Sequence, residues 1–241
     1  MNILAISCSS QLGSVCLRKE GKTYFEKSWR RNRSHGEIIT LSVKEALLEA
    51  NITIDDLDLL AVDIGPGSFT GIRVAVNTIK TISYSNKIPI WPVDSLKILA
   101  EAAPLSYKNI VCISNAFKNE LFYARFEAGK KKWKFKEKPK SIHPDELKEK
   151  IAISHLCLGT GYDLYSGTWS KALLKKLKRE KRISDEPKSS VLAEIAERDF
   201  HKDKTIDWNR LNSLYIKASA AEEKLKSGLL KPIPKLLEEI R

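Results

Sequence analysis

Apolar and polar positions along the 241 residues fall into two kinds of segment, short strand-like runs and stripes at helical spacing. Residues 3–8, 13–18 and 22–29 read as three strands, broken near Ser9-Ser10-Gln11 and at Glu20-Gly21-Lys22. A helix then runs to about Ala50, with Ser34-His35-Gly36-Glu37 in capping-box spacing at its start. Ile39, Val43, Ala46, Leu47 and Ala50 form one apolar stripe on it, and Ile38, Leu41 and Leu48 a second, narrower one. A surface helix needs only one stripe, so the second is covered by another helix of the chain or kept for a partner. Residues 58–64 form a nearly continuous apolar run, the pattern of a strand covered on both faces. A helix over 72–86 follows, with Ile72, Ala75, Val76, Ile79, Ile82 and Ser83 on one face and Arg73, Asn77, Lys80 and Tyr84 on the other. A short strand at 88–91, a helix from the Asp94-Ser95 cap to about Ala103, and Pro104 close this half.

The second half repeats the order more loosely. Residues 110–114, 121–127 and 132–136 are strand-like, 144–151 helical, 153–158 a strand, and 169–180 and 190–200 helices. Three strands, helix, strand, helix, twice over, is the pattern of a duplicated α/β fold. The expected organisation is an α/β domain over 1–104, a second over 105–218, and a partly mobile tail over 219–241, broken by Gly228 and Pro232-Ile233-Pro234.

Between the strand at 58–64 and its helix lies Gly65-Pro66-Gly67-Ser68-Phe69-Thr70-Gly71-Ile72-Arg73. Three glycines in seven positions mean that the backbone takes conformations a side chain forbids, or approaches something closely. Free N–H groups at a helix N-terminus suit an anion, which makes Gly65, Gly67 and Ser68 candidate phosphate or nucleotide contacts. The alternative is a tight turn required by packing. No Lys-Ser/Thr follows the last glycine, and Gly71 comes one residue late for the dinucleotide fingerprint. Gly159-Thr160-Gly161 reads as a turn more readily than as a ligand contact.

Composition adds two constraints. No apolar run approaches the ~20 residues of a membrane span, and the start of the chain lacks a signal core, so a cytoplasmic protein is expected. Cys8, Cys16, Cys112 and Cys157 show no paired spacing and read as buried free thiols. Of 42 Lys and Arg and 30 Asp and Glu, residues 1–104 hold 12 and 11, whereas 105–241 hold 30 and 19. That basic half invites a polyanion such as tRNA, or it is a lysine-rich solvated surface with glutamates nearby.

The word Gly65–Arg73 resembles the signature of the TsaB (YeaZ) family, with Lys80 matching a lysine further along the helix. Ile3-Leu4-Ala5-Ile6, Ser14-Val15, His35-Gly36-Glu37, Glu120 through Tyr123 and Leu214-Tyr215-Ile216-Lys217 agree with it. The likeness is strong over about residues 1–127. It implies a duplicated actin/Hsp70-like (ASKHA, ribonuclease H-like) double domain in a glycoprotease-like family. It also implies a role in making threonylcarbamoyladenosine in tRNA, as non-catalytic partner of the paralogous enzyme TsaD, with the TsaE ATPase a further partner.

The resemblance places partner docking on the two helices, with Ile38, Leu41 and Leu48 giving apolar contact and Arg73, Asn77 and Lys80 polar specificity. Such a surface is also expected to pair with itself when the partner is missing. Two carboxylates that the architecture uses for magnesium and water are replaced here by Ser7 and Asn115. Asp63 is the remaining acid near the turn, and an isolated acid at a strand end is commonly structural. His35 has Ile39 rather than histidine four residues on, and His143, His155 and His201 are scattered. No catalytic residue, no resident metal and no intrinsic cofactor are therefore expected, with ATP or ADP confined to the interface with TsaD. Two rival readings are an ATPase or small-molecule kinase of the actin-like class, and a tRNA-binding module acting through the basic half.

Overall fold

The computed structural model describes residues 1–30 and 35–217. The Ser34 cap and the tail at 219–241 lie outside the described residues. The first sheet begins with an antiparallel meander of β1 (Asn2–Ser7), β2 (Leu12–Lys19) and β3 (Lys22–Arg30). Helix α1 (His35–Glu49) leads to β4 (Leu59–Asp63), which pairs parallel with β1 in the register Ile3↔Leu59 to Ile6↔Val62. Helix α2 (Phe69–Asn86) leads to β5 (Ile90–Val93), parallel to β4, and α3 (Ser95–Glu101) follows.

The second sheet repeats this plan with a meander of β6 (Asn109–Asn115), β7 (Leu121–Ala128) and β8 (Trp133–Ile142). The short α4 (Leu147–Lys150) precedes β9 (His155–Leu158), which runs parallel to β6. Then come α5 (Gly161–Tyr165), α6 (Lys171–Lys176), the two-residue β10 (Leu177–Lys178) parallel to β9, and α7 (Ser189–Asp199). Strand orders β3-β2-β1-β4-β5 and β8-β7-β6-β9-β10 are the same order twice. This is the duplicated actin-like double domain.

Several boundaries differ from the pattern-based expectation. Strand β8 runs to Ile142 rather than 136, because Lys134, Lys136 and Lys138 of this edge strand face solvent and hide its apolar ends, Trp133 and Ile142. Charged side chains along an edge are a common guard against strand addition. The helix expected over 169–180 is only α6, since Leu177 continues into a strand beside His155.

The central strands are buried end to end, as their apolar run requires. Leu4, Ile6, Leu60 and Val62 face the layer of α1 and α2. Ile3, Ala5, Leu59 and Ala61 face the opposite way, against Leu192, Ala193, Ile195 and Ala196 of α7. Helix α7 therefore covers the first sheet although the chain reaches it after the second. Helix α3 does the reverse: Leu96, Leu99, Ala100 and Ala103 at its end pack on Ile110, Cys112, Phe122 and Phe126. The two halves exchange covering helices.

Their crossing is pinned by Glu101, whose side chain is 5% exposed and takes Lys97 at 2.6 Å and Arg198 at 2.7 Å. It also accepts the Trp133 N–H at 3.2 Å, and the Trp133 indole N–H donates to Ala103 O at 2.9 Å. Span 105–218 is thus not confined to the second sheet, and segment 206–215 also returns to the first. Ile206 bridges Ile90 of β5, Leu211 enters the core under α2, and Leu214 N–H donates to Ile64 O at 2.8 Å.

Removing α7 strips one face of the first sheet. A fragment of residues 1–104 is expected to show no cooperative thermal transition by circular dichroism. In the full chain, Leu192→Ala should lower stability by about 2–5 kcal/mol, measured by urea denaturation.

Candidate functional site

The glycine turn is shaped by its seat on the β1–β2 hairpin. A Cβ on Gly67 would lie 2.0 Å from Ser9 O, and one on Gly71 2.0 Å from Cys8 O. Gly65 has φ +97°, the left-handed region that glycine tolerates. Ser68 N–H donates to Ser9 O at 2.7 Å, Ser68 Oγ caps α2 by accepting Gly71 N–H at 3.3 Å, and Gly65 N–H donates to Asp63 at 3.0 Å. Of the three candidate anion contacts, Gly65 and Ser68 therefore spend their N–H groups inside the chain, as Gly71 does, while Gly67 lines the cleft described below.

Asp63 is fully buried beneath this turn. One oxygen accepts the hydroxyls of Ser7 at 2.7 Å and Ser9 at 2.5 Å; the other takes Gly65 N–H. Burial pushes its carboxyl above the usual range, against the pull of those hydrogen bonds. It holds the turn to the hairpin and does not reach open space. Ser7, in place of the expected carboxylate, is one of its two hydroxyl partners. Asp94, nearby, caps α3 by accepting Lys97 N–H at 2.7 Å, and burial lifts its pKa to about 7.

Between the two hairpins lies a cleft of about 450 Å³, bounded by 9–11 and 67–68 on one side and by 114–117 and 160–164 on the other. Asn115 lines it, but its Oδ1 accepts Phe117 N–H at 2.8 Å, closing the local turn. The acid on this cleft is Asp163, in the first turn of α5. Sequence reasoning missed it, because neither strand pattern nor motif marks a five-residue helix. Gly159 and Gly161 behave like the first-half glycines. A Cβ on Gly159 would meet Ile113 O at 2.1 Å, and one on Gly161 would meet Leu121 Cδ2 at 2.7 Å.

The helical surface divides into two grooves flanking α2. The first, about 590 Å³ between α1 and α2, is lined by Val43, Leu47, Leu48, Ile52, Ile54 and Ile82 with three threonines and Lys44. Leu48 is 69% exposed and Leu41, further along the outer side of α1, 59%; Ile38 is half-buried. The second groove, about 370 Å³, lies between α2 and segment 211–215 and is lined by Arg73, Asn77 and Lys80. The six residues expected to bind a partner are thus split between α1 and the far flank of α2.

Arg73 is held in place. Its guanidinium stacks 4.0 Å from the Phe69 ring centre, and its Nε donates to Tyr215 Oη at 3.2 Å. Phe69 and Tyr215 rings pack at 5.0 Å, as do Tyr84 and Trp208 at the other end of the helix. Neither Arg73 nor Lys80 forms an ion pair among the described residues. All four cysteines are free and buried, and burial pushes Cys8, Cys16 and Cys157 up to about 12. No helix among the described residues is long and apolar enough to cross a membrane.

Two outcomes test this reading of the turn. Gly67→Ala, whose Cβ meets backbone, should cost about 3 kcal/mol or more by denaturant titration. Asp94 is raised in the folded state, so its stabilising contribution is complete below about pH 4 and is lost as pH rises through about 7. Asp94→Asn keeps the cap, and its melting temperature should therefore exceed that of the parent at pH 8 and match it at pH 4.

Comparison with known proteins agrees with this geometry. The family model described as TsaD, tRNA N6-adenosine threonylcarbamoyltransferase, matches residues 30–236. The tRNA threonylcarbamoyladenosine biosynthesis protein TsaB of Buchnera aphidicola subsp. Schizaphis graminum is 30% identical over 192 residues, covering 77% of this chain and 85% of that protein. The protein of the same name from Escherichia coli is 24% identical over 93% of this chain and 98% of its own length. A solved structure, YeaZ from Pseudomonas aeruginosa, superposes with a TM-score of 0.77 at 20% identity, over 89% of this chain and 99% of that one. With its double sheet, its glycine turn and this match along most of its length, the chain belongs to the TsaB (YeaZ) family, within the group that the TsaD model describes.

Proposed function

We propose that the chain acts in tRNA threonylcarbamoyladenosine synthesis as a non-catalytic cytoplasmic scaffold that binds and supports a TsaD paralogue. The names of its relatives, tRNA threonylcarbamoyladenosine biosynthesis proteins, support the pathway. The observation that carries the scaffold role is the exposure of Leu41 and Leu48 on α1, beside an apolar groove and a separate cationic one. Contiguous apolar surface of this kind, edged by polar groups, favours a protein partner. Arg73 suits the polar part, since its stacking on Phe69 fixes the guanidinium and reduces the entropy lost on docking.

The chemistry of the interior points the same way. Ser7 replaces one expected carboxylate, Asn115 the other, and Asp63 is sealed with its lone pairs occupied. A serine hydroxyl is a weak magnesium ligand and a poor base near neutral pH. Alone, the chain should pair with a second copy through the same face. In the complex, TsaE and an ATP or ADP molecule at the interface belong to the same proposal.

The test pairs Leu41→Glu with Arg73→Ala. Both side chains are exposed, so the melting temperature should stay near that of the parent. Affinity for TsaD, measured by biolayer interferometry, should fall about 100-fold or more. Unchanged affinity would remove this surface from the interface. A second reading, tRNA contact through the basic half, draws on the 30 basic against 19 acidic residues in 105–241. It requires log affinity for tRNA to fall steeply with log salt.

A further inference from the structure

The hairpin of β7 and β8 concentrates positive charge. Residues 130–140 hold seven lysines and a single acid, Glu137. The turn at 129–132, closed by Gly129 N–H donating to Lys132 O at 2.9 Å, carries three of those lysines in a row. Acids on or against this stretch already have cations. Glu127 takes Lys136 at 3.2 Å, Asp199 takes Lys132 at 3.0 Å, and Glu137 takes Lys140 at 2.7 Å and Arg125 at 2.5 Å. Glu101, under Trp133, holds Lys97 and Arg198. Lys130, Lys131, Lys134 and Lys138 are exposed and form no ion pair among the described residues. Lys108 joins them beside the turn: its carbonyl accepts Ala128 N–H at 2.8 Å, and its side chain is exposed and likewise unpaired among the described residues. Lysines on an edge strand guard against strand addition. Lys108, Lys130 and Lys131 lie outside the ladder, which ends at Ala128↔Trp133, so that guard does not account for them.

We propose that this hairpin holds the phosphate backbone of a double-helical RNA stem without reading its sequence. Each free ammonium group is a point charge that suits one phosphate. From Lys130 to Lys138 the cations extend on the order of 25 Å along the strand, enough to meet several phosphates. Residues 129–142 contain no Arg, Asn or Gln, whose planar groups pair with base edges. The bases of an RNA helix are in any case hidden in a deep, narrow major groove, so backbone contact remains. Single-stranded nucleic acid calls for a row of stacking aromatics. Here Phe135, 36% exposed, already packs on Phe126 at 4.7 Å. An anionic membrane calls for apolar side chains that enter the interface, and Phe135 is the one large exposed hydrophobic residue of the hairpin. Such contact deepens the second reading, tRNA binding through the basic half, and uses no residue of the α1 and α2 surface.

Fluorescence anisotropy of the full chain with a labelled RNA hairpin of about 16 base pairs, from about 50 to about 200 mM salt, tests this. Log affinity should fall linearly with log salt, with a slope of about −4, and a hairpin of unrelated sequence should bind equally well. A variant carrying Lys130→Gln, Lys131→Gln, Lys134→Gln and Lys138→Gln should bind about tenfold more weakly or worse at the lower salt, with its slope reduced by about 3. Those side chains are exposed and unpaired, so its melting temperature should match that of the parent. A control of equal charge, Lys148→Gln, Lys171→Gln, Lys202→Gln and Lys204→Gln, should stay within about threefold of the parent. No saturable binding by the parent at the lower salt overturns the proposal and the second reading together. A loss as large in the control as in the hairpin variant reduces the effect to net charge and overturns the proposal. A loss in the control alone also overturns it, while leaving RNA contact elsewhere on the basic half. Tighter binding to single-stranded oligo(U) of the same length, or to phosphatidylserine vesicles, than to the RNA hairpin overturns it as well.

Discussion

The approach of one backbone to another at Gly67 and Gly71 governs much of what surrounds it. The carbonyls of Cys8 and Ser9 occupy the space where side chains would begin, so the turn after β4 presses directly on the β1–β2 hairpin. Asp63 lies under that contact, and three hydrogen bonds from Ser7, Ser9 and Gly65 take up its oxygens. An acid in this position cannot also serve a ligand in the cleft. The same contact sets where α2 begins, and with it the flank that presents Arg73, Asn77 and Lys80. Packing accounts for the absence of side chains at Gly67 and Gly71, and the flank of α2 inherits its geometry from that packing.

The second half meets the same constraint with different residues. Gly159 and Gly161 press on Ile113 of β6 as Gly67 and Gly71 press on the first hairpin. Two turns built this way face each other across the cleft, which explains why its walls are rich in hydroxyl and amide groups and poor in charge. Basic residues of the second half lie elsewhere, and several are matched: Arg179 with Asp185, Lys217 with Glu120, and Arg125 and Lys140 with Glu137. A group of lysines is therefore a smaller net field than the residue count suggests.

Elements whose side chains alternate or recur at helical spacing were readable in the sequence. Strands β1, β4 and β6 are apolar because both faces are covered, and the first apolar stripe of α1 marks its buried side. The destination of a stripe is not readable in this way. The apolar side of α7 reports that Leu192 and Ile195 are covered, and says nothing of covering a sheet nearly 190 residues back in the chain. Segment 206–215 has no period at all; it is placed by single contacts such as Leu211 in the core and Trp208 on Tyr84. Likewise Arg73, expected from the sequence to give a partner polar specificity, is fixed by Phe69 and by Tyr215, 142 residues later. Asp163 escaped for the same reason, since only the fold brings it opposite the first hairpin.

The exchange of α3 and α7 has a consequence for vectorial synthesis on the ribosome. Ile3, Ala5, Leu59 and Ala61 emerge long before the helix that shields them, and the last residue of that helix is Asp199. At about 5–20 residues per second, translation takes on the order of 5–20 s to pass from residue 104 to that point. Through that interval the nascent first sheet carries a bare apolar face, the kind of surface that a chaperone at the exit tunnel retains.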